Sequence, residues 1–222
     1  MAEVEIKPIP AASVILLRDD PLEVLMIRRH GRSSFVPNAW VFPGGAVEEG
    51  DRRFAAGDLL NTRRVAAARE LFEEAGIWLG AALRDAAAKR EALLNGGVTF
   101  ADLFSESPID FERLVWTSHW ITPVGEPKRF DAYFFLAQTD RATVATLQQS
   151  EAVDSTWISP AMAIERHMRG EFALVFPTLK NLEAIAGFAT AAELLESRRE
   201  AEISPTRPRL VFEDGEKKIL LP

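Results

Sequence analysis

The sequence predicts a mixed α/β domain in which one β-sheet carries helices on both of its faces. Three observations support this fold class. Strand-like runs occur before, between and after helical segments. The sequence contains no internal repeat. The composition is ordinary for a globular domain, with 47% hydrophobic and 27% charged residues. A chain of 222 residues can bury a substantial core without covalent cross-links, so residues 1–222 are predicted to form a single domain.

Two predicted strands open the chain. The run ASVILLR, Ala12 to Arg18, is rich in β-branched residues and is closed by the turn-forming Asp-Asp-Pro at 19–21. A second run, EVLMIRR, follows this turn, so the two strands are expected to pair. Trp40 to Phe42 is predicted as a short strand because it is apolar and ends at Pro43-Gly44-Gly45, a strong turn signal.

Two helical segments follow the glycine turn. Asn61 or Thr62 is predicted to cap a helix that runs through Glu74, and Gly76 stands just past its end, where helices favour a left-handed residue. The run ALRDAAAKREALLN is rich in good helix formers and stops at Gly96-Gly97. This second segment is predicted to be a helical insert at about residues 81–105.

The rest of the chain alternates again between strands and helices. Ser159 and Pro160 supply a helix cap and a first helical position, and Thr190 with Glu193 forms the signature that begins a last long helix. Asp214-Gly215 between two strand-like runs predicts a hairpin at about residues 209–221. The predicted strands in this region are VWTSHWIT, RFDAYFFLA and STWIS.

The composition also restricts the classes of function. The formal net charge of −7 argues against binding to nucleic acid or to an anionic membrane, and a phosphate-bearing ligand then needs intervening cations. The absence of cysteine excludes disulfides, thiolate metal sites and thiol nucleophiles. No apolar run approaches the roughly 20 residues of a membrane span, and the start MAEVEIKPIP does not read as a signal peptide. We therefore expect a soluble, cytoplasmic protein.

Three carboxylates crowd into barely more than one helical turn within RELFEEAGI, residues 69–77. At about 100° per residue, Glu70, Glu73 and Glu74 share an arc of roughly 100°, and an apolar face of Val65, Ala68, Phe72 and Ala75 lies opposite. Clustered carboxylate oxygens suit Mg²⁺ or Mn²⁺, although an isolated motif of this kind is more often a solvated charged face. The neighbouring arginine and the glycine turn favour the cation site, in which Glu74 is expected to face solvent and metal.

RELFEEAGI matches the core of the Nudix box, and PGGAVEEGD, residues 43–51, resembles the opening of the same motif with Gly45 in its glycine position. The resemblance implies a Nudix-type α/β/α sandwich with a mixed sheet and an additional helical insertion. Two features depart from the pattern. Asp51 stands where the motif has Glu, and the arginine expected at position 59 stands at 69, so the box from Gly45 to Ile77 contains ten additional residues (69 minus 59).

Other segments are similar to a subgroup of this family that includes the peroxisomal coenzyme A diphosphatases. These segments are GRSSFVPNAWVFPGG, WTSHWITPVGEPKRFDAYFFLA and LVFEDGEKKILLP. The resemblance implies metal-dependent hydrolysis of a diphosphate linkage in a nucleoside diphosphate derivative, with coenzyme A or acyl-CoA giving 3′,5′-ADP and a 4′-phosphopantetheine. Two alternatives stay open: a pyrophosphatase for ADP-ribose or another nucleotide sugar or dinucleotide, and a non-catalytic regulatory module that binds a nucleotide.

The resemblance also assigns roles within the box. Glu70 and Glu74 are expected to bind Mg²⁺ or Mn²⁺, and their one-turn spacing supports the pair independently. Glu73 is a third ligand or positions water, and Arg69 is expected to orient a carboxylate by a bidentate contact. Gly45 is expected to offer its backbone carbonyl to the metal. Which carboxylate acts as general base stays open, because members of the family differ.

Five cations outside the box are candidates for contact with substrate phosphates, because guanidinium and ammonium groups suit phosphate oxygens. They are Arg28, Arg29, Arg32, Lys128 and Arg129. Glu151 is a candidate for a late additional metal ligand. The expected partner is a small nucleoside diphosphate derivative, with no nucleic acid and no membrane, and a homodimer stays open because many relatives are dimers.

Overall fold

The computed structural model describes residues 6–33, 36–55, 57–213 and 216–221. The strands are β1 Ile9–Arg18, β2 Glu23–Arg29, β3 Trp40–Val41, β4 Gly44–Ala46, β5 Val115–Ile121, β6 Phe130–Gln138, β7 Ala152–Ile158, β8 Arg209–Glu213 and β9 Glu216–Leu220. The helices are α1 Leu59–Ala75, α2 Ala86–Leu94, α3 Phe100–Glu106, α4 Pro160–Met168, α5 Phe176–Ile185 and α6 Ala191–Arg199, with short 3₁₀ helices at Glu49–Phe54 and Phe111–Arg113.

Strands β1 to β7 form one mixed sheet with the path β3-β2-β1-β6-β5, to which β4 and β7 add beside β1 and β2. β1 runs parallel to β6 and antiparallel to both β2 and β4. β2 pairs with β1 at Leu17 and Arg18, whereas β4 pairs with it at Ala11 to Ser13. The predicted opening strand pair is confirmed, and the glycine turn is held against the first half of β1.

Helices cover both faces of this sheet, as the sequence predicts. On one face, α1 and α3 pack with residues from β1 and β6 in a cluster that includes Val14, Leu71 and Phe135. On the other face, α4, α5 and α6 bury Ala163, Leu182 and Leu194 against the alternate residues of the same strands. The side chains of a strand alternate between faces, so the nearly continuous apolar run of β1 supplies both cores.

The predicted caps are partly confirmed. Gly76 ends α1 in the left-handed conformation, with φ of 71°, and Ser159 caps α4 with Pro160 in its first turn. The predicted start of α1 is wrong. Asp58 is the cap, and its side chain accepts the N–H of Leu60 at 2.8 Å. The residues added to the box extend α1 toward its N-terminus, so the helix begins before Asn61 and Thr62.

The helical insert consists of two short helices, α2 and α3, because Gly96 and Gly97 separate them and Thr99 caps the second. Helix α5, which follows β7 and α4, is absent from the sequence-based prediction. The predicted last helix, α6, is capped by Thr190 but spans only nine residues. Strands β8 and β9 pair as the hairpin prediction requires, while Asp214 and Gly215 lie outside the described residues. None of the described helices combines the length and the apolar character needed to cross a membrane.

Candidate active site

The last two turns of α1 carry the three glutamates of the predicted site. The apolar face of the helical wheel is buried as predicted, which turns Glu70 and Glu73 toward the surface with side-chain exposures of 13% and 21%. Glu74 is only 4% exposed. The expectation that Glu74 faces solvent is therefore wrong: it lies beneath the glycine turn, where the N–H of Gly44 donates to its Oε2 at 2.8 Å.

The glycine turn approaches α1 too closely for any side chain. A Cβ atom at Gly45 would lie 2.4 Å from Oε1 of Glu70. A Cβ atom at Gly44 would lie 2.5 Å from the carbonyl oxygen of Ala12, because β4 pairs with β1 at this point. Gly44 therefore requires glycine, because backbone atoms of β1 block a side chain there, whereas a side chain at Gly45 would displace the Glu70 carboxylate. The backbone of β4 forms one wall of the acidic site.

Arg69 organises the carboxylates of the box. Its guanidinium is buried and makes a bidentate contact with Asp51, Nε to Oδ1 at 3.0 Å and Nη2 to Oδ2 at 3.2 Å. Nη1 donates to Glu70 Oε1 and to Glu73 Oε2, each at 2.9 Å, and Nη2 donates to the carbonyl of Ala46. The bidentate partner that the sequence left unspecified is thus Asp51, which is itself 1% exposed. Although the box contains ten additional residues, Asp51 still contacts Arg69.

Burial and mutual repulsion keep the glutamates protonated to a higher pH than usual. Burial raises the pKa of Glu70 to about 7; the charge of Arg69 opposes this rise, and the charge of Glu73 adds to it. Burial raises the pKa of Glu74 well above its ordinary value, and the adjacent charge of Glu70 adds to this effect. Burial also raises the pKa of Glu73, against the lowering effect of Arg69. The charge of Glu151 contributes to the raised pKa of both Glu70 and Glu74.

These groups fit a divalent cation by the chemistry of their donors. Within the described residues, Oε2 of Glu70 and Oε1 of Glu74 make no hydrogen bond, so each carboxylate has one oxygen available. Hard oxygen donors suit Mg²⁺ and Mn²⁺, and a cation would relieve the repulsion that raises the pKa of both groups. In the described part of the chain no three acidic or histidine side chains already converge as ligands.

A cavity of about 630 Å³ opens beside these carboxylates. Glu70, Glu74 and Glu151 line its acidic part together with Gly44 and Gly45. The other part is apolar and largely aromatic, and its walls include Trp120, Phe130, Phe134, Phe176 and Pro208. The volume lies within the range of pockets for cofactor-sized ligands. The lining can therefore accommodate both a charged linkage and an organic group.

Two of the five predicted phosphate-binding cations line this cavity, Arg29 and Lys128. Arg29 also lowers the pKa of Glu74 through its charge. The other three lie elsewhere. Arg28 is 3.8 Å from Asp154, Arg32 is exposed, and Arg129 is buried, with hydrogen bonds to the carbonyls of Thr122 and Ile6.

Sequence reasoning missed Arg90, a buried side chain that supports the site from outside the box. It lies on α2 and donates Nε and Nη2 to the carbonyl oxygen of Glu73, at 3.0 and 2.6 Å. Its only signal in the sequence is an arginine within an alanine-rich helix, which is ordinarily a surface position. The contact therefore became visible only when the structure placed α2 beside the end of α1.

Comparison with known proteins agrees with this geometry. The crystal structure of a NUDIX hydrolase from Alicyclobacillus acidocaldarius superposes with a TM-score of 0.79 at 25% identity, covering 88% of this chain and 99% of that chain. A Caenorhabditis elegans protein that carries a nudix hydrolase name is 32% identical over 183 residues, 79% of this chain and 60% of that protein. The acyl-coenzyme A diphosphatase NUDT19 of Homo sapiens is 26% identical over 236 residues, 77% of this chain and 62% of that protein.

The chain thus spans about three-fifths of the length of the curated relatives it matches. The family model described as NUDIX domain matches residues 7–176, which include the glycine turn, α1 and the loop that carries Glu151. The sandwich fold, the match of this model and the arrangement of the box residues agree with one another. This chain belongs to the NUDIX domain family.

Proposed function

We propose that this chain is a Mg²⁺- or Mn²⁺-dependent hydrolase that cleaves a diphosphate linkage in a nucleoside diphosphate derivative. One observation carries the proposal: Glu70 and Glu74 meet beneath the Gly44-Gly45 turn, each with an available carboxylate oxygen, at the acidic end of a cavity of about 630 Å³. An acidic site in a protein of net charge −7 attracts cations and repels a bare diphosphate. A bound divalent cation would neutralise the acidic site and so allow the diphosphate of the substrate to bind.

In this proposal Glu70 and Glu74 are the primary metal ligands, with Gly45 contributing its carbonyl and Glu73 or Glu151 completing the set. Arg69 is a positioning residue, since it holds Glu70 and Glu73 through direct hydrogen bonds. The metal would neutralise the diphosphate and lower the pKa of a bound water. The N–H of Gly44 fixes one oxygen of Glu74, which leaves the other oxygen to face the cavity.

Arg29 and Lys128 are the proposed contacts to substrate phosphates. Both line the cavity, and the guanidinium of Arg29 makes no hydrogen bond or ion pair within the described ranges, so it is available to a ligand. Arg28, Arg32 and Arg129 do not line the cavity. Their predicted role in phosphate binding has no support from the structure.

Coenzyme A or an acyl-CoA is the proposed substrate, cleaved to 3′,5′-ADP and a 4′-phosphopantetheine. The name of the NUDT19 relatives supports this choice, and so do the apolar and aromatic residues of the cavity lining, such as Trp120 and Phe176. ADP-ribose is the second candidate, and the NUDIX domain of Shewanella oneidensis NrtR was crystallised with that ligand. A module that binds a nucleotide without turnover is the candidate from another class.

The test is product formation from coenzyme A, acetyl-CoA, ADP-ribose, NADH and a diadenosine polyphosphate, each with Mg²⁺, Mn²⁺ or a chelator. We expect metal-dependent release of 3′,5′-ADP from the CoA compounds. Glu74→Gln should lower kcat by at least about a hundredfold, while the exposed control Glu91→Gln retains the wild-type rate. Turnover of ADP-ribose alone would correct the substrate, and tight binding without any turnover would favour the binding module.

A cytoplasmic location is also part of the proposal, and a homodimer stays open. Cell fractionation tests the first, because a cytoplasmic protein should be recovered in the soluble fraction. Size-exclusion chromatography with light scattering tests the second, since a homodimer of this 24.6 kDa chain should elute with twice the mass of one chain.

A further inference from the structure

The C-terminal end of α1 is an unfavourable place for a cluster of acids. The last carbonyls of a helix have no partners within the helix, and together they carry a partial negative charge. Glu70, Glu73 and Glu74 add three carboxylates in the same two turns, and the last turn of α1 contains no basic residue. Such an end should fray, and fraying would spread the carboxylates apart.

The cap residue Gly76 and donors from two other segments meet the last four carbonyls of α1. The N–H of Gly76 binds the carbonyl of Phe72 at 2.9 Å. In the loop between β6 and β7, the N–H of Thr146 binds Ala75 at 2.8 Å and the N–H of Gln148 binds Glu74 at 3.1 Å. The remaining carbonyl, that of Glu73, accepts both donors of Arg90.

Arg90 is the charged member of this set and comes from the helical insert. It is 7% exposed, and a Cβ atom at Gly76 would lie 3.4 Å from its Nη1, so the guanidinium sits directly against the end of α1. A cation at this end offsets the helix dipole. Its two hydrogen bonds fix the peptide group between Glu73 and Glu74.

We propose that Arg90 is a positioning residue that keeps the box glutamates at the spacing needed to bind the divalent cation. The inference rests on the proposed function. Arg90 does not line the cavity; it contacts the backbone of Glu73 from α2. The insert thus supports the metal site rather than the substrate.

The direction of the effect separates positioning from a simple charge effect. Loss of a nearby positive charge would, through Coulomb attraction alone, make a divalent cation bind more tightly. Loss of a support for the ligands makes it bind more weakly, typically by 10- to 100-fold for residues that orient metal ligands. A contact that contributes only to folding would leave the affinity of the folded protein unchanged.

The experiment measures Mn²⁺ binding directly, by electron paramagnetic resonance without substrate, for wild type, Arg90→Lys, Arg90→Gln and Arg90→Ala. We expect the Kd for Mn²⁺ to rise about tenfold in Arg90→Gln, with Arg90→Lys between it and wild type because it retains the charge and one donor. Arg63→Gln is the matched control. Arg63 is also buried and donates to two backbone carbonyls, those of Ala11 and Asp131, and in addition to the Asp131 carboxylate, but it lies in the first half of α1.

Amide hydrogen exchange supplies a readout that needs no metal. Residues 70–76 should exchange faster in Arg90→Gln than in wild type, while Arg63→Gln should leave this segment unchanged. An unchanged or lower Kd for Mn²⁺ in a folded Arg90→Gln protein would overturn the positioning role and leave the proposed function intact. Absence of Mn²⁺ binding to the wild type would instead overturn the proposed function, and the inference would fall with it.

Discussion

Replacing Glu70 by glutamine tests whether the metal-free acidic site destabilises the folded protein. The side chain is 13% exposed, and burial raises its pKa to about 7 from an ordinary value of 4.5. For an acid whose pKa is raised on folding, the folded state binds more protons than the unfolded state at intermediate pH. The corresponding stability is complete below about pH 4.5 and is lost as the pH rises through about 7.

The size of this loss follows from the two pKa values. A difference between about 7 and 4.5, at about 1.36 kcal/mol for each pH unit, corresponds to about 3 kcal/mol. This is an upper value, because Glu73 and Glu74 adjust their own protonation in response. For a chain of this length, 1 kcal/mol shifts Tm by about 2 to 4 °C, so the pH-dependent shift in Tm is roughly 6 to 12 °C at most.

The pH-dependent loss of stability is measured by thermal unfolding of metal-free wild type and Glu70→Gln between about pH 4.5 and 8. The Tm of Glu70→Gln relative to wild type should rise with pH over this range, and excess Mn²⁺ should restore the wild type at the upper end. The exposed Glu91→Gln variant should track the wild type throughout. Parallel curves for wild type and Glu70→Gln would refute the argument that burial raises the pKa of Glu70.

Three substitutions test the remaining geometry. Gly45→Ala should weaken Mn²⁺ binding, measured by titration, because the added Cβ would lie 2.4 Å from Oε1 of Glu70 and would displace this carboxylate. An unchanged affinity would contradict the close approach of Gly45 to Glu70. Gly76→Ala should lower the free energy of unfolding by about 1 kcal/mol or more in denaturant titrations, because φ is 71° there. Arg29→Gln should raise KM about tenfold and leave Tm within about 2 °C, since this guanidinium binds no described side chain; an unchanged KM would exclude it as a phosphate contact.

Local patterns predicted the features that depend on neighbours in the sequence. The helical period placed Val65, Phe72 and Ala75 on the buried face of α1, and Gly76 and Ser159 marked helix ends because their preferences act within one turn. The first residue of α1 could not be predicted from local patterns. Asp58, Asn61 and Thr62 can each cap a helix, and the choice depends on how the loop from the glycine turn reaches the helix.

Contacts between distant segments could not be predicted in the same way. The partner of Arg69 is 18 residues away at Asp51, and Arg90 reaches α1 from a separate helix. The sequence did not distinguish among the five candidate phosphate-binding cations. The path of the strands decided that Arg29 and Lys128 line the cavity, whereas Arg129 donates hydrogen bonds to backbone carbonyls.

By itself, the sequence determined the α/β class, the apolar and acidic faces of α1 and the glycine turn before it, because periodicity and turn preference are properties of short segments. Only the tertiary structure decided that Glu74 is buried under Gly44 and that Asp51 and Arg90 hold the box in place. Those outcomes depend on which segments the sheet brings together, because the free energy of a buried charge is set by the groups that surround it in the folded chain.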